Sequence, residues 1–201
     1  HIANYIPGYH RQSGGAESAC INVVKLLAKA GFENFIISVK PRFYPNEEIF
    51  KFFYTSISED VFGYKLSFLK IIFYFDLISY FNLKKFFRKI RPDIVHLHNF
   101  DLISLSVISA AKAFKIPIVF SVYDYWVFSE DKGFSFKSNS FRKKIFTHFL
   151  KKISAFIVLS ENSKKILAAN GISENKIFIV PLLLEKRDLA CVDFEAFEEN
   201  S

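Results

Sequence analysis

The chain has 201 residues, 51% of them apolar and 26 of them Phe, so it is long and apolar enough to bury one substantial core and is not of disordered composition. Two cysteines, Cys20 and Cys191, are too few and too far apart for a cysteine-based metal or redox motif, and they leave a reducing, cytoplasmic setting as the default. The net charge of +7 is uneven: the first 184 residues hold 25 bases against 14 acids, and the remainder is acidic.

A basic surface suits an anionic partner, whether a phosphorylated small molecule, a lipid phosphate, an anionic membrane or nucleic acid. A compositional origin stands beside it, because 21 of the 27 bases are Lys and AT-rich coding favours Lys, Ile and Phe together. No signal peptide opens the chain. It begins at His1 and contains no Met, so residues 2–6 read as the end of a strand that began earlier.

That apolar opening leads into Gly14-Gly15 and then a helix over 18–30, with Ile21, Val24 and Leu27 at helical spacing and Gly31 as the stop. A strand–glycine–helix junction exposes backbone N–H groups at a helix N-terminus, which favours an anion; a plain turn is the other reading. Residues 35–39 form a short strand ending at Pro41. Residues 41–63 lack a period and are expected to be an irregular or short-stranded insertion.

Residues 66–83 are dense in apolar side chains, but Lys70, Asp76 and Asn82 make them too polar for a membrane span. The next stretch, 84–91, has five bases and no acid. A Phe-rich helix with a basic end can lie on an anionic membrane; the preferred reading is a helix pair that covers a sheet and exposes its lysines.

Residues 94–97 are a buried strand ending at His98-Asn99, 102–114 a helix with small residues at Ala110, Ala111 and Ala113, and 118–122 another buried strand ending at Tyr123-Asp124. A polar loop over 127–140 precedes a helix over 141–153. A strand over 156–159 meets Ser160, the N-cap of a helix over 161–170 closed by Gly171. The last strand, 177–180, stops at Pro181.

Strand and helix alternate about five times, which predicts an α/β, Rossmann-like parallel sheet with helices on both faces. Such sheets bind ligands outside the carboxyl ends of their strands. The polar candidates fall at those ends: Gly14, Gly15, Glu17, His98, Asn99, Tyr123, Asp124 and Ser160. Glu17 also suits the first helical turn with no further role. His96 and His98 share one strand face, but no further metal ligands are apparent, and no metal site is expected. No Ser/His/Asp triad, P-loop or dinucleotide fingerprint is present.

Four segments carry a resemblance: Gly14-Gly15-Ala16-Glu17; Arg91-Pro92-Asp93-Ile94-Val95-His96-Leu97-His98; Ile116-Pro117-Ile118-Val119 leading to Tyr123-Asp124-Tyr125-Trp126; and Ile157-Val158-Leu159-Ser160-Glu161 followed by Lys176-Ile177-Phe178-Ile179-Val180-Pro181. In order and spacing, residues 2–181 resemble the N-terminal, acceptor-side domain of a GT-B fold glycosyltransferase of family 4. The resemblance implies one half of a GT-B architecture and a retaining transferase moving a sugar from a nucleotide-sugar donor to a glycan or lipid-linked acceptor. It also implies a second domain for the donor, a glycine pair beside the donor diphosphate, and the residues at 123 and 124 near the transferred sugar.

The sequence departs from the family at two places. Tyr123 stands where the family often has His, and a phenol of ordinary pKa about 10 is a poor proton carrier near neutrality. Leu182-Leu183 replaces the usual Asn-Gly. Residues 1–184 are therefore expected to form the transferase-like domain, and 185–201 an acidic tail or the start of an interdomain linker.

Tyr123 and Asp124 are the catalytic candidates, and all eight strand-end residues are candidates for substrate binding. No metal or cofactor is expected beyond the nucleotide-sugar co-substrate. The expected partners are the acceptor, a C-terminal donor domain not found within residues 1–201, and an anionic membrane surface on the inner face. Nucleic acid is not expected, because the bases are scattered over several helices. Without a donor domain the chain is expected to be inactive; the alternative is a non-catalytic module that docks a separate donor subunit.

Overall fold

The computed structural model describes residues 1–4, 14–40, 51–58, 75–100, 103–124 and 140–181. The elements run α1 (Gly15–Lys29), β1 (Phe35–Lys40), β2 (Lys51–Ser58), α2 (Leu77–Ile90), β3 (Val95–Leu97), α3 (Ser106–Ala113), β4 (Ile118–Val122), α4 (Ser140–Leu150), β5 (Ala155–Val158) and α5 (Glu161–Ala169). A 3-10 turn (Glu174–Lys176) and β6 (Ile177–Ile179) follow.

All strand pairs are parallel: β1 with β2, and β3–β4–β5–β6 in that order. The opening segment joins the two groups. Ile2 bridges Ile37 on one side and Leu97 on the other, with the Ile2 N–H donating to His96 O at 2.8 Å and the Ala3 N–H donating to Ile37 O at 3.1 Å. The order is thus β2–β1–(1–4)–β3–β4–β5–β6. Chain direction across the sheet reverses between the opening segment and β3, the point at which open α/β sheets hold ligands.

The strands are short and mostly apolar on their buried positions, with Ser38 and Ser121 the buried polar residues among the described strands, as expected where both faces are covered. Leu97, Ile118, Phe120, Phe156 and Val158 are buried, and Phe100 meets Phe120 edge to face at 5.2 Å between ring centres. The core continues into Val107, Ile108, Ala110 and Ala111 of α3, where the small side chains bring the helix close.

Helix α2 is fixed by its cap. The Asp76 carboxylate accepts from Ile78 N–H at 2.9 Å and from Ser79 Oγ–H at 2.7 Å. The Asp76 backbone N–H donates to Ser104 Oγ and Ser106 Oγ, which couples the starts of α2 and α3. Leu83 and Phe87 of α2 enter the core, while Leu77, Ile78 and Phe81 are exposed beside exposed Lys85, Arg88 and Lys89. Among the described residues, no helix is long and apolar enough to cross a membrane.

Two features of the fold sharpen the sequence expectation and have physical causes. Residues 51–58, inside the stretch expected to be irregular or short-stranded, form a strand paired with β1, with a register irregularity between Ser38 and Lys40. Its residues do not alternate, but Phe53 packs on Phe86 at 4.3 Å and on Phe35 at 6.0 Å, and that tertiary contact replaces a binary pattern. Helix α1 starts at Gly15, three residues earlier than expected, because the Glu17 side chain reaches back to cap Gly14. The loop over 127–139, the stretch at 64–74 and the acidic tail lie outside the described residues.

Candidate functional site

Three strand ends converge at the reversal point. The Ile2 carbonyl accepts from His98 N–H at 2.8 Å and from Asn99 N–H at 3.4 Å, so the opening segment positions the residues just past β3. His98 is buried. Its Nε2 lies 3.1 Å from His1 Nδ1, and its Nδ1 lies 3.0 Å from Tyr123 Oη, just past β4. The His98 and Tyr123 rings are nearly parallel, 5.9 Å apart. On the far side of His1, Nε2 meets Asn34 Oδ1 at 3.0 Å.

Glu17 is only 4% exposed, and a carboxylate so buried requires partners. Among the described residues it has two: Gly14 N–H donates to Oε2 at 3.0 Å, and Asn99 Nδ2–H donates to Oε1 at 3.3 Å. One acid therefore caps α1 and ties its N-terminus to the end of β3. The expectation of bare amides at the glycine pair is corrected at Gly14, whose N–H is already bonded to a negative group. A Cβ on Gly14 would lie 3.3 Å from that carboxylate, whereas one on Gly15 would meet open space. The Asn99 Oδ1 is buried with no hydrogen-bond partner among the described residues.

The structure thus brings together Gly14, Glu17, His98, Asn99 and Tyr123, with Gly15 beside them at the helix start. Asp124 is exposed at the bend after β4. Ser160 serves the following helix, accepting from Ser163 N–H at 3.2 Å. His96 is a core histidine bonded to Ser121 Oγ at 2.8 Å. Burial pushes His96 down to about 3 and holds His98 well below the ordinary imidazole range, so both are neutral at pH 7. Burial also pushes the Tyr123 hydroxyl up to about 12, which keeps it a neutral hydrogen-bonding group.

Three participants were not apparent from sequence: His1, Asn34 and Cys20. The ligating atoms of His1, Cys20 and His98 lie within 4.8 Å of one another. They come from the opening segment, α1 and the end of β3, so no local spacing announces them. Burial pushes the Cys20 thiol up to about 12 and keeps it protonated. A separate cavity of about 210 Å³ lies between α2 and the β1–β2 pair, lined by Ile37, Phe53, Leu83 and Phe86 with Lys85 and Lys89. It is below the usual 300–1,000 Å³ of a ligand pocket.

A family model described as Glycosyltransferase Family 4 matches residues 13–183. No curated protein matches the chain by sequence. Among solved structures, HepE of Anabaena in complex with UDP and glucose aligns over 92% of this chain with a TM-score of 0.60 and 10% identity. The lipopolysaccharide outer core galactosyltransferase WaaB in its apo form aligns over 90% with a TM-score of 0.56 and 19% identity. A UDP-N-acetylglucosamine 2-epimerase aligns over 82% with a TM-score of 0.50 and 13% identity. The chain spans 44% of the HepE and WaaB chains and 43% of the epimerase, and the likeness is one of fold, the GT-B arrangement.

Proposed function

Because the chain belongs to glycosyltransferase family 4, we propose that it is the acceptor-side domain of a retaining transferase that moves a sugar from a nucleotide-sugar donor to a glycan or lipid-linked acceptor. The observation that carries this reading is the convergence of α1, β3 and β4 at the reversal point, tied by the Glu17–Asn99 and His98–Tyr123 hydrogen bonds. The neutral donors and acceptors of His98, Asn99 and Tyr123 suit a polyol, and the open space beside Gly15 suits close approach of a phosphate. Solved neighbours named for UDP with glucose and for galactosyl transfer support a UDP-sugar as the donor class.

In this reading the donor binds mainly to a second domain facing the same cleft, with no metal or other cofactor, and residues 1–201 alone do not transfer sugar. The protein works at the inner face of the membrane, where exposed Leu77, Ile78 and Phe81 beside Lys85, Arg88 and Lys89 of α2 rest on anionic lipid. The test is transfer from radiolabelled UDP-sugars to membrane extracts, by the chain alone and with a donor domain supplied. Transfer by the chain alone overturns the division of labour; no transfer with any donor domain overturns the reading. Flotation with anionic vesicles tests the membrane contact, and failure to float removes it.

A second reading is a non-catalytic module that docks a donor subunit. It is favoured by Tyr123, a neutral phenol bonded to a neutral buried histidine where the related transferases often carry His. Tyr123→His in a two-domain protein separates the two: activity only with His favours the docking module.

A further inference from the structure

The hydrogen bonds at the reversal point fix their own direction. Asn34 Nδ2–H donates to Phe32 O at 2.8 Å, which leaves Asn34 Oδ1 facing His1 Nε2. A carbonyl oxygen only accepts, so His1 Nε2 carries the hydrogen. In the neutral form of His1 that ring has one N–H, so His1 Nδ1 is bare and accepts from its neighbour at 3.1 Å, His98 Nε2. His98 Nε2 then carries the hydrogen of that ring, and His98 Nδ1 is bare. The group facing Nδ1 at 3.0 Å is the Tyr123 hydroxyl, which must donate.

We infer that the chain runs one way, from Tyr123 through His98 and His1 to Asn34, and that His1 is a positioning residue. By accepting from His98 it sets the His98 tautomer, and through that tautomer it holds the Tyr123 proton inward. Ser121 also hydrogen-bonds Tyr123, so the Oη lone pair that Ser121 leaves serves as the acceptor for a ligand hydroxyl. This choice of ligand chemistry, a hydroxyl donor such as a sugar ring, rests on the transferase reading; the direction of the chain does not. Burial of His98, which disfavours a second proton on that ring, supports the assignment. The arrangement also accounts for His1, which bonds His98, and for Asn34, which bonds His1.

The test is two-bond ¹H–¹⁵N correlation NMR on the uniformly labelled chain, above the ordinary imidazole pKa of about 6.5. The expected spectrum has His98 with Nε2 protonated and Nδ1 bare. His1→Leu should move His98 to the Nδ1–H tautomer or a mixture, while His1→Asn, which keeps an acceptor oxygen near the Nδ1 position, should restore the wild-type pattern. If His1→Leu does not fold, Asn34→Leu releases the far end of the chain and should give His1 mixed tautomers. A wild-type His98 protonated at Nδ1, or tautomers unmoved by these variants, overturns the inference. A Zn²⁺ titration closes the remaining route: stoichiometric binding that converts the facing nitrogens of His1 and His98 to metal-bound shifts overturns it in favour of a metal held with Cys20. No activity measurement enters, so failure of the transferase reading leaves this result interpretable.

Discussion

Asn99 donates its side-chain amide to the Glu17 carboxylate across 82 positions of sequence, joining the first turn of α1 to the end of β3. The same carboxylate accepts from Gly14 N–H, so a single side chain sets the start of the helix and ties it to the end of β3 at the reversal point. Glu17→Ala removes a cap and takes away the acceptor of the Asn99 side-chain N–H. The expected loss is about 1–2 kcal/mol. Glu17→Gln keeps one acceptor oxygen and should lose less. Urea midpoints of the two variants check the order; equal losses would mean that bulk at position 17, not its acceptor oxygens, holds the junction.

Tyr123→Phe keeps the ring against His98 and deletes the hydroxyl. It strands a buried imidazole nitrogen, at an expected cost of about 1–3 kcal/mol. His98→Ala removes the centre of the same chain and should cost at least as much. The double variant is expected to cost much less than the sum of the two singles, because both act on one bonded unit. Thermal denaturation of the three proteins measures the coupling, and simple additivity would show that the 3.0 Å contact is energetically silent.

Stability should fall on mild acidification. The unfolded chain protonates His96 near 6.5, whereas the folded chain, with that ring buried and held at about 3, does not. Between those values the unfolded state binds more protons, so acid favours it; the stability present above pH 6.5 is lost as pH falls toward 3. From about pH 6.5 to about pH 5, before carboxylates titrate, a loss of roughly 1–2 kcal/mol is expected. The burial of His98 acts in the same direction. Urea titrations across that range read the slope, and His96→Asn should flatten it.

Ser160 separates a structural from a ligand role. Its hydroxyl caps α5, so Ser160→Ala should cost about 1 kcal/mol and Ser160→Gly only a few tenths. If Ser160→Gly leaves stability near wild type but abolishes transfer in a complete two-domain protein, the hydroxyl touches substrate as well.

Most strands and helices were legible because they are short, apolar and punctuated. Pro117, Ser160, Gly31 and Gly171 mark boundaries that the structure places within a few residues of expectation. Strand β2 was legible only as one of two readings of its stretch, since its order comes from the edge-on contact of Phe53 with Phe86 of α2, a contact that no local pattern carries. The strand-end rule located His98, Asn99 and Tyr123 but not what binds them together. Glu17 looked like an ordinary first-turn acid; its burial and its reach to Asn99 depend on a sheet neighbour far along the chain. His1 lay at the edge of the sequence, where periodicity has nothing to measure, and its role appears only when the opening segment is set between β1 and β3.

That placement of Ile2 has a kinetic consequence. Its partners on the two sides are Ile37 and Leu97, so the opening segment can take its first neighbour early but must wait for its second until the chain through β3 has formed. Joining the two parts of the sheet therefore requires closure of a long loop, an entropic cost met late and all at once. The residues that orient His98 are among the last to be fully paired. Assembly of the cleft and completion of the sheet are then one event, and a folding intermediate that lacks the central pairing would also lack the site.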